Sequence, residues 1–582
     1  MAKPGSSEEK ISYCTLDSDD SCEFNVVRKA ICCVDELPLN TLQEFMFENR
    51  KILVVRQREG IYAVGDKCTH RGDPLVNGVL GRGRVRCSTC GSCFSLSTGL
   101  VEDSPTLDPL PCYQVEVLDN TVYVSIKHRD LQEDGCYRLV LPPRIEFETK
   151  ETFVIIGGGP AAATCIEHLR DLAYAGRIFV FMREPRLPYY RSALSKVLVL
   201  KKQQIQLRSP EVYRQLGVNV YLSTTVDHLN INAQTIVSID GPSLSYDKLF
   251  IATGCEARRL PSSIPGITGA KGVFYLRYYS DASEIRRALN KDVDLIIVGT
   301  GFLGMEIAAT ILPHVKSIKI ISMTAYPFEN IFGPVVGRRL LKLFIDKGIV
   351  MTMSDEIVSV ITDPETSTLT GMVLKSGEII YGNVAIICVG ITYNTQLLDN
   401  TGVEMTPDGA VVTDEYLATN IPNVYVGGDI ACSPLHPYFN TTTTSTVYST
   451  AMKHGKIAAA SMLGKRQPVD TIPFIKVYLG ESTLQCVGHI KHVEQMQVVG
   501  NLDEMKFAAY YMDGDRVTAL LTSGLNTLGA KFAETVHMGK HVTRYSIRDH
   551  VWSSLMFTCV VHERDEEYKL DFDKLRQTGL VF

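Results

Sequence analysis

From residue 26 to about 128 the chain alternates apolar and polar positions in short runs, among them KILVVRQ, GIYAVGD and TVYVSIK, with turn residues between them. A period of two predicts half-buried strands, and their regular punctuation predicts an all-β unit. Residues 129–150 break the pattern, charged first and then carrying a Pro-Pro pair, and read as a linker. At Phe153 the texture changes to strand, glycine turn, helix, strand. The strands TFVII and DLIIVG open two such units, at 152–184 and 293–322, the βαβ signature of a parallel sheet. Past about 471 alternation returns in FAAYYMD and RVTALLT, and a helix-like stretch follows near 527–539. The end of the chain is therefore expected to be an α+β unit.

At 582 residues the chain is too long for one core and should hold three or more domains. A composition 45% hydrophobic and 21% charged suits globular domains, and a net charge of −6 leaves no basic footprint for nucleic acid. No run of 18 apolar residues occurs, so no membrane span is expected. Residues 1–25 read as a polar tail, without the apolar stretch of a signal peptide or the Arg-rich, acid-poor character of a transit peptide. A cytoplasmic location is expected ahead of a mitochondrial one. Ten of the 16 cysteines fall before residue 150. In a reducing compartment such clustering points to a metal site rather than to disulfides.

The first glycine turn, after strand TFVII, is Gly157-Gly158-Gly159-Pro160-Ala161-Ala162, and ATCIEHLRDL continues it as a helix. Gly157 permits the tight turn, Gly159 lets backbone approach a pyrophosphate, and Ala162 keeps the helix close to the strand. The next strand, RIFVFM, leads to Glu184, placed to hydrogen-bond a ribose hydroxyl. In the second copy Gly299, Gly301 and Gly304 take the same three roles. Its following strand, SIKIIS, ends at Ser322, where an NAD site usually has an acid, and no arginine follows closely to take a 2′-phosphate. The choice between NADH and NADPH stays open, as does an empty turn that binds neither.

These motifs carry a family resemblance. LPYYRSALSK at 187–196 is similar to the LPYxRPPLSK stretch of the apoptosis-inducing-factor and ferredoxin-reductase flavoproteins. YDKLFIATG (246–254), FYLRYYSDA (274–282), GTGFLGMEIA (299–308) and NIPNVYVGGD (420–429) resemble further family stretches, in family order, over roughly residues 150 to 540. The resemblance implies an FAD domain in two pieces, 151–275 and 396–470, with an NAD(P) domain at 276–395 between them and an α+β domain at 471–582. It implies Arg191 and Lys196 as flavin-site residues, Thr253 and Gly254 in a second FAD turn, and Asp429 at the ribityl hydroxyls. Lys196 and Glu306 match the pair that meets beside flavin N5. A cation there favours reduced, anionic flavin, and the carboxylate holds the lysine in place. Two departures stand out: Val447-Tyr448 replaces the usual His-Trp pair, and Ser192 and Ala193 replace the usual prolines.

Residues 68–99 read CTHRGDPLVNGVLGRGRVRCSTCGSCFSLSTG. A Rieske centre takes Cys-x-His, about 16 residues, and Cys-x-x-His, with two thiolates on one iron and two imidazoles on the other. Cys68 and His70 supply the first pair and Cys87 opens the second, but Cys90 stands where the second histidine belongs. Either three cysteines and one histidine hold a [2Fe–2S] cluster, or the domain survives as a scaffold. A zinc site from the same four residues is a third reading. With this domain the chain resembles the Rieske-fused apoptosis-inducing-factor-like proteins from about residue 26 onward.

The implied activity is an oxidoreductase in which NAD(P)H reduces FAD and electrons leave singly for the fused cluster or for an outside one-electron acceptor. A disulfide reductase is excluded, because no cysteine lies between Cys165 and Cys255. The competing expectation is a redox-gated signalling protein whose association state, a homodimer included, follows its bound dinucleotide.

Overall fold

The computed structural model describes residues 26–132, 149–196, 205–239 and 241–547. The polar tail, most of the linker and residues 548–582 lie outside the described residues.

The alternating runs at the front form two antiparallel sheets. Six strands lie in the order Val26–Cys33, Thr121–Lys127, Cys112–Leu118, Gly60–Gly65, Arg50–Gln57, Leu42–Phe47. Four short strands, Val79–Gly81, Arg84–Arg86, Cys93–Ser95 and Val101–Asp103, make the second sheet. Alternation splits the side chains between two cores: Leu53, Val55 and Val64 face one, and Ile52, Val54 and Ala63 the other. The first core also holds Cys68 and Cys87, so the metal-ligand candidates sit in packed interior.

Each glycine-turn unit builds a parallel five-stranded sheet. The first has the order Val218–Tyr221, Arg177–Phe181, Thr152–Ile156, Lys248–Ile251, Val424–Val426. The second has the order Val273–Tyr275, Val384–Ile387, Asp294–Val298, Ser317–Ser322, Val350–Met353. Both faces of each sheet are covered, which explains the unbroken apolar runs. Phe153 and Ile155 point to one cluster while Val154 and Ile156 point to another. Helix Pro160–Asp171 crosses helix Tyr448–Met462 closely, since a β-carbon on Gly455 would collide with the Ala161 carbonyl.

The last unit is an antiparallel sheet in the order Phe474–Leu479, Ser482–Gly488, Arg516–Ser523, Lys506–Asp513, Met496–Asn501. Alternation again divides its residues. Phe507, Ala509 and Tyr511 join the core of the second parallel unit, and the Tyr511 hydroxyl donates to the Phe332 carbonyl at 2.8 Å. Ala508, Tyr510 and Met512 pack under helix Asn526–His537.

That helix also carries Glu534, whose side chain is fully buried against the front domain. Its carboxylate accepts from Arg86 Nε at 2.6 Å and Arg84 Nε at 3.0 Å. Arg86 reaches Asp103 at 2.6 Å, and Asp103 meets Lys453 of the long helix at 3.3 Å. Lys456 donates to the Val101 carbonyl, and Arg208 pairs with Asp108 at 2.8 Å. The front domain is thus held by the rear helix, the Tyr448–Met462 helix and the segment around Arg208. Among the described residues no helix is long and apolar enough to cross a membrane.

Candidate functional site

A cavity of about 570 Å³ runs along the C-terminal ends of the first parallel sheet toward the second. Its wall brings together Gly157, Gly159, Glu184, Arg191, Lys196, Thr253, Gly254, Glu306 and Asp429, which are scattered over more than 270 residues of sequence. Ala162 lies fully buried behind the wall. Gly299, Gly301 and Gly304 do not line this cavity; Gly299 and Gly301 form their own turn beside it, and Gly304 lies in the first turn of helix Phe302–Ile311.

The first and second motif positions of the two turns meet the same requirements, whereas the third accepts a methyl at Ala162 and none at Gly304, where a β-carbon would strike the Gly299 carbonyl. Gly157 has φ +140° and Gly299 φ +106°, and a β-carbon on either would strike a carbonyl of the neighbouring strand end, Ala252 or Cys388. A β-carbon on Gly159 or Gly301 would meet no atom within 4 Å, so both open onto space at a helix N-terminus. Space there, with unpaired helix N–H groups facing it, suits a pyrophosphate. Within the cavity wall Arg277 Nε and the Tyr448 hydroxyl are buried and have no hydrogen-bond partner among the described residues. The wall therefore fits a polar, anionic ligand of dinucleotide size.

Glu184 holds Arg191 at 2.6 Å and accepts the Tyr189 hydroxyl at 2.8 Å, so the acid and the arginine are already paired. Burial opposes the Arg191 charge, but Glu184 more than compensates and raises its pKa. Asp429 Oδ2 accepts from Arg277 at 2.8 Å and from the Cys255 thiol at 3.2 Å. Thr253 Oγ1 donates to the Asn394 carbonyl at 2.6 Å and ties the turn to the opposite strand.

Lys196 Nζ lies 2.8 Å from Glu306 Oε2, with side chains 15% and 7% exposed. Ser195 donates to the same oxygen at 2.7 Å, and the Tyr478 backbone N–H to Oε1 at 3.2 Å. The carboxylate is fixed by three donors and in turn fixes the lysine. Ser195 and Tyr478 were not legible as site residues: the first is an ordinary member of the LSK stretch, and the second arrives from the last unit.

At the facing tip of the front domain the Sγ atoms of Cys68, Cys87 and Cys90 all lie within 4.8 Å of one another, Cys68 to Cys90 being 3.6 Å. His70 lies outside that grouping, and its Nδ1 is buried without a partner among the described residues. Burial lowers the His70 pKa to about 4, so the ring is neutral, the form a metal requires. Hydrogen bonds from Cys68 and Cys90 pull the Cys87 thiol down, while the bond to Cys87 pushes Cys68 up. Three convergent soft donors and one unpaired imidazole fit an iron–sulfur centre. Cys93 points away, its thiol toward Glu534 at 3.7 Å.

A family model described as pyridine nucleotide-disulphide oxidoreductase matches residues 151–455, more than half of the chain. The chain belongs to that family. A Rieske [2Fe-2S] domain model matches residues 27–114 of this oxidoreductase. Apoptosis-inducing factor 3 of Homo sapiens is 30% identical over 524 residues, 90% of this chain and 86% of that protein. Rubredoxin-NAD(+) reductase of Ectopseudomonas oleovorans is 25% identical over 375 residues, 64% of this chain and 95% of that protein. The structure of the covalent putidaredoxin reductase-putidaredoxin complex shares the fold, with TM-score 0.67 at 24% identity over 71% of this chain and 99% of that one.

The protein is thus an NAD(P)H-dependent flavoprotein oxidoreductase with an all-β Rieske domain in front, and its cofactors are FAD, NAD(P)H and a [2Fe–2S] cluster. The redox-gated signalling reading is not favoured. Despite the family's name, the flavin cavity holds a single cysteine, Cys255, and disulfide exchange needs two.

Proposed function

We propose that this oxidoreductase takes hydride from NAD(P)H beside Lys196 and Glu306 and delivers electrons singly, through the fused cluster, to a ferredoxin-like acceptor. When bound, FAD supplies the conversion of a two-electron donor into one-electron steps. Gly157, Gly159 and Ala162 form the FAD turn, with Glu184, Arg191, Thr253, Gly254 and Asp429 along the dinucleotide. Gly299, Gly301 and Gly304 hold NAD(P)H. Cys68, His70, Cys87 and Cys90 would hold the [2Fe–2S] cluster. The domain boundaries at 26, 128, 150, 395 and 470 are those expected from the sequence, and the one expected at 275 moves ahead of Val273, because strand Val273–Tyr275 pairs within the second parallel sheet.

The observation that carries the reading is the Lys196–Glu306 pair inside the dinucleotide cavity, tied through Tyr478 to the front domain. The Tyr478 backbone holds Glu306, and its hydroxyl bonds Arg71, the neighbour of His70. Lys196 is buried enough that its charge acts at close range, and Glu306 keeps that charge compensated until an anion forms nearby. A ferredoxin-like acceptor is supported by the putidaredoxin complex and by the rubredoxin reductase among the relatives. A cytoplasmic, reducing compartment is supported by the described cysteines, all of them free thiols. The test is an anaerobic titration of purified protein with NADH, followed by visible and electron-spin spectra. Flavin bleaching together with a reduced-cluster signal is expected. Protein that stays colourless with added FAD, or bleaches without any cluster signal, defeats the reading.

A further inference from the structure

Tyr190 occupies the unspecified position of the LPYYRSALSK stretch, and nothing in the motif gives it a role. Its backbone is pinned, the N–H donating to Ile205 at 2.7 Å and the carbonyl accepting from Ala193 at 3.1 Å. Adjacent side chains leave the chain on opposite sides here. Tyr189 turns to Glu184 and Arg191, while Tyr190 turns to the front domain. Its ring meets the His70 ring edge-on, with centroids 5.3 Å apart at 80°. On its other side it meets Tyr448, again edge-on, at 5.0 Å and 85°. Tyr448 lines the flavin cavity, and its buried hydroxyl has no partner among the described residues. His70, Tyr190 and Tyr448 therefore form one packed aromatic file from a candidate cluster ligand to the cavity wall. Edge-to-face contacts of this kind constrain ring orientation. Among the described residues His70 Nδ1 has no hydrogen-bond partner, and the edge-on contact with Tyr190 is the ring packing that limits how the imidazole can turn.

We propose that Tyr190 is a positioning residue for internal electron delivery: it orients the His70 ring and closes the gap between the flavin cavity and the iron–sulfur centre. The inference rests on the function proposed above. In the overall exchange NAD(P)H loses two electrons and a proton to become NAD(P)⁺. Two equivalents of a one-electron acceptor take the electrons one at a time, and in single turnover without an added acceptor the cluster takes the first.

The test compares Tyr190→Leu, Tyr190→Phe and wild type as holoenzymes in anaerobic single turnover with NADH. Flavin bleaching and the cluster signal are recorded separately, together with the electron-spin spectrum of dithionite-reduced protein. Tyr190→Leu should keep its FAD and bleach within twofold of the wild-type rate. Its cluster should be reduced at least tenfold more slowly, with a shifted or broadened spectrum. Tyr190→Phe, which keeps the ring, should restore both. Loss of iron in Tyr190→Leu but not in Tyr190→Phe also supports the role, through His70. Wild-type cluster kinetics with an unchanged spectrum in Tyr190→Leu overturn it, as does a Tyr190→Phe protein no better than Tyr190→Leu. A wild type whose cluster NADH never reduces defeats instead the function on which the inference rests.

Discussion

At the scale of single residues, the Lys196–Glu306 pair explains why two unremarkable positions 110 residues apart are coupled. Removing one partner of a buried pair leaves an uncompensated charge and typically costs about 3–5 kcal/mol. Separately, loss of a charge placed beside the reacting atoms slows the chemical step on the order of 100-fold, as removal of a single electrostatic stabiliser does. Lys196→Ala and Glu306→Ala should each show that loss in stopped-flow flavin reduction while retaining FAD, which is held mainly along the dinucleotide. Equal rates in wild type and variants would remove the pair from the chemistry. Cys90 poses the second residue-scale question. Two neutral imidazoles on one iron give Rieske potentials of roughly −150 to +300 mV, whereas all-thiolate clusters lie near −400 mV. One thiolate in place of an imidazole adds negative charge at the metal, so the potential should fall below the Rieske range. Cys90→His should raise it in a redox titration, and Cys90→Ser should lose iron. An iron-free wild type that gains iron only as Cys90→His would mean that the cluster has been lost. These residues could be named from the sequence because each sits in a dense motif. Tyr190, Tyr478 and Arg277 could not, since their roles come from what faces them across the fold.

Elements explain what could and could not be read along the chain. The parallel strands Thr152–Ile156 and Asp294–Val298 were legible from the glycine turns they open, and their apolar runs are unbroken because both faces are covered. The front strands were legible by alternation because each divides its side chains between two cores. Helix Asn526–His537 was legible as a helix near 527–539, but its function was not. Nothing local marks Glu534 as the partner of two arginines some 450 positions earlier. The end of strand Ser317–Ser322 shows a finer limit. The sequence offers Ser322 where an acid is usual, and the fold encloses it: its hydroxyl shares hydrogen bonds with Thr300 at 2.7 Å and Thr324 at 2.9 Å. A buried hydroxyl already engaged supplies neither an acceptor for a 2′-hydroxyl nor a cation for a 2′-phosphate. NADH and NADPH should therefore differ by less than about tenfold in kcat/KM. A larger ratio would point to residues beyond this strand end.

At the scale of the whole molecule, the position of the front domain follows from charge buried between units. Burial alone would raise the carboxyl pKa of Glu534 and Asp103, yet both lie below the ordinary range. Arg86 and Arg84 hold Glu534 down, while Lys453 and Arg86 do the same for Asp103. Pairs this deep are poorly screened, so moderate salt should leave reduction of the cluster within the chain unchanged. The direction of the pH effect follows from linkage. A carboxyl whose folded pKa is depressed contributes its full stability above the unfolded value, here 3.8 to 4.5. That contribution is lost as pH falls below it, because the unfolded chain takes up protons that the folded one does not. Lys456 works at the other end. Burial, helped by the Lys453 charge, lowers its pKa to about 8, so between about 8 and the unfolded value of 10.5 the unfolded chain holds the extra proton and stability rises with pH. Glu534→Gln separates the acid contribution from general acid damage, since an amide keeps the shape and has no proton to take up. At pH 7 it should lower the thermal midpoint, because Arg84 and Arg86 lose their shared counter-charge at a cost of about 3–5 kcal/mol. Between pH 5 and pH 3.5 its midpoint should fall less steeply than that of wild type. Parallel curves would show that the Glu534 carboxylate does not clamp the front domain.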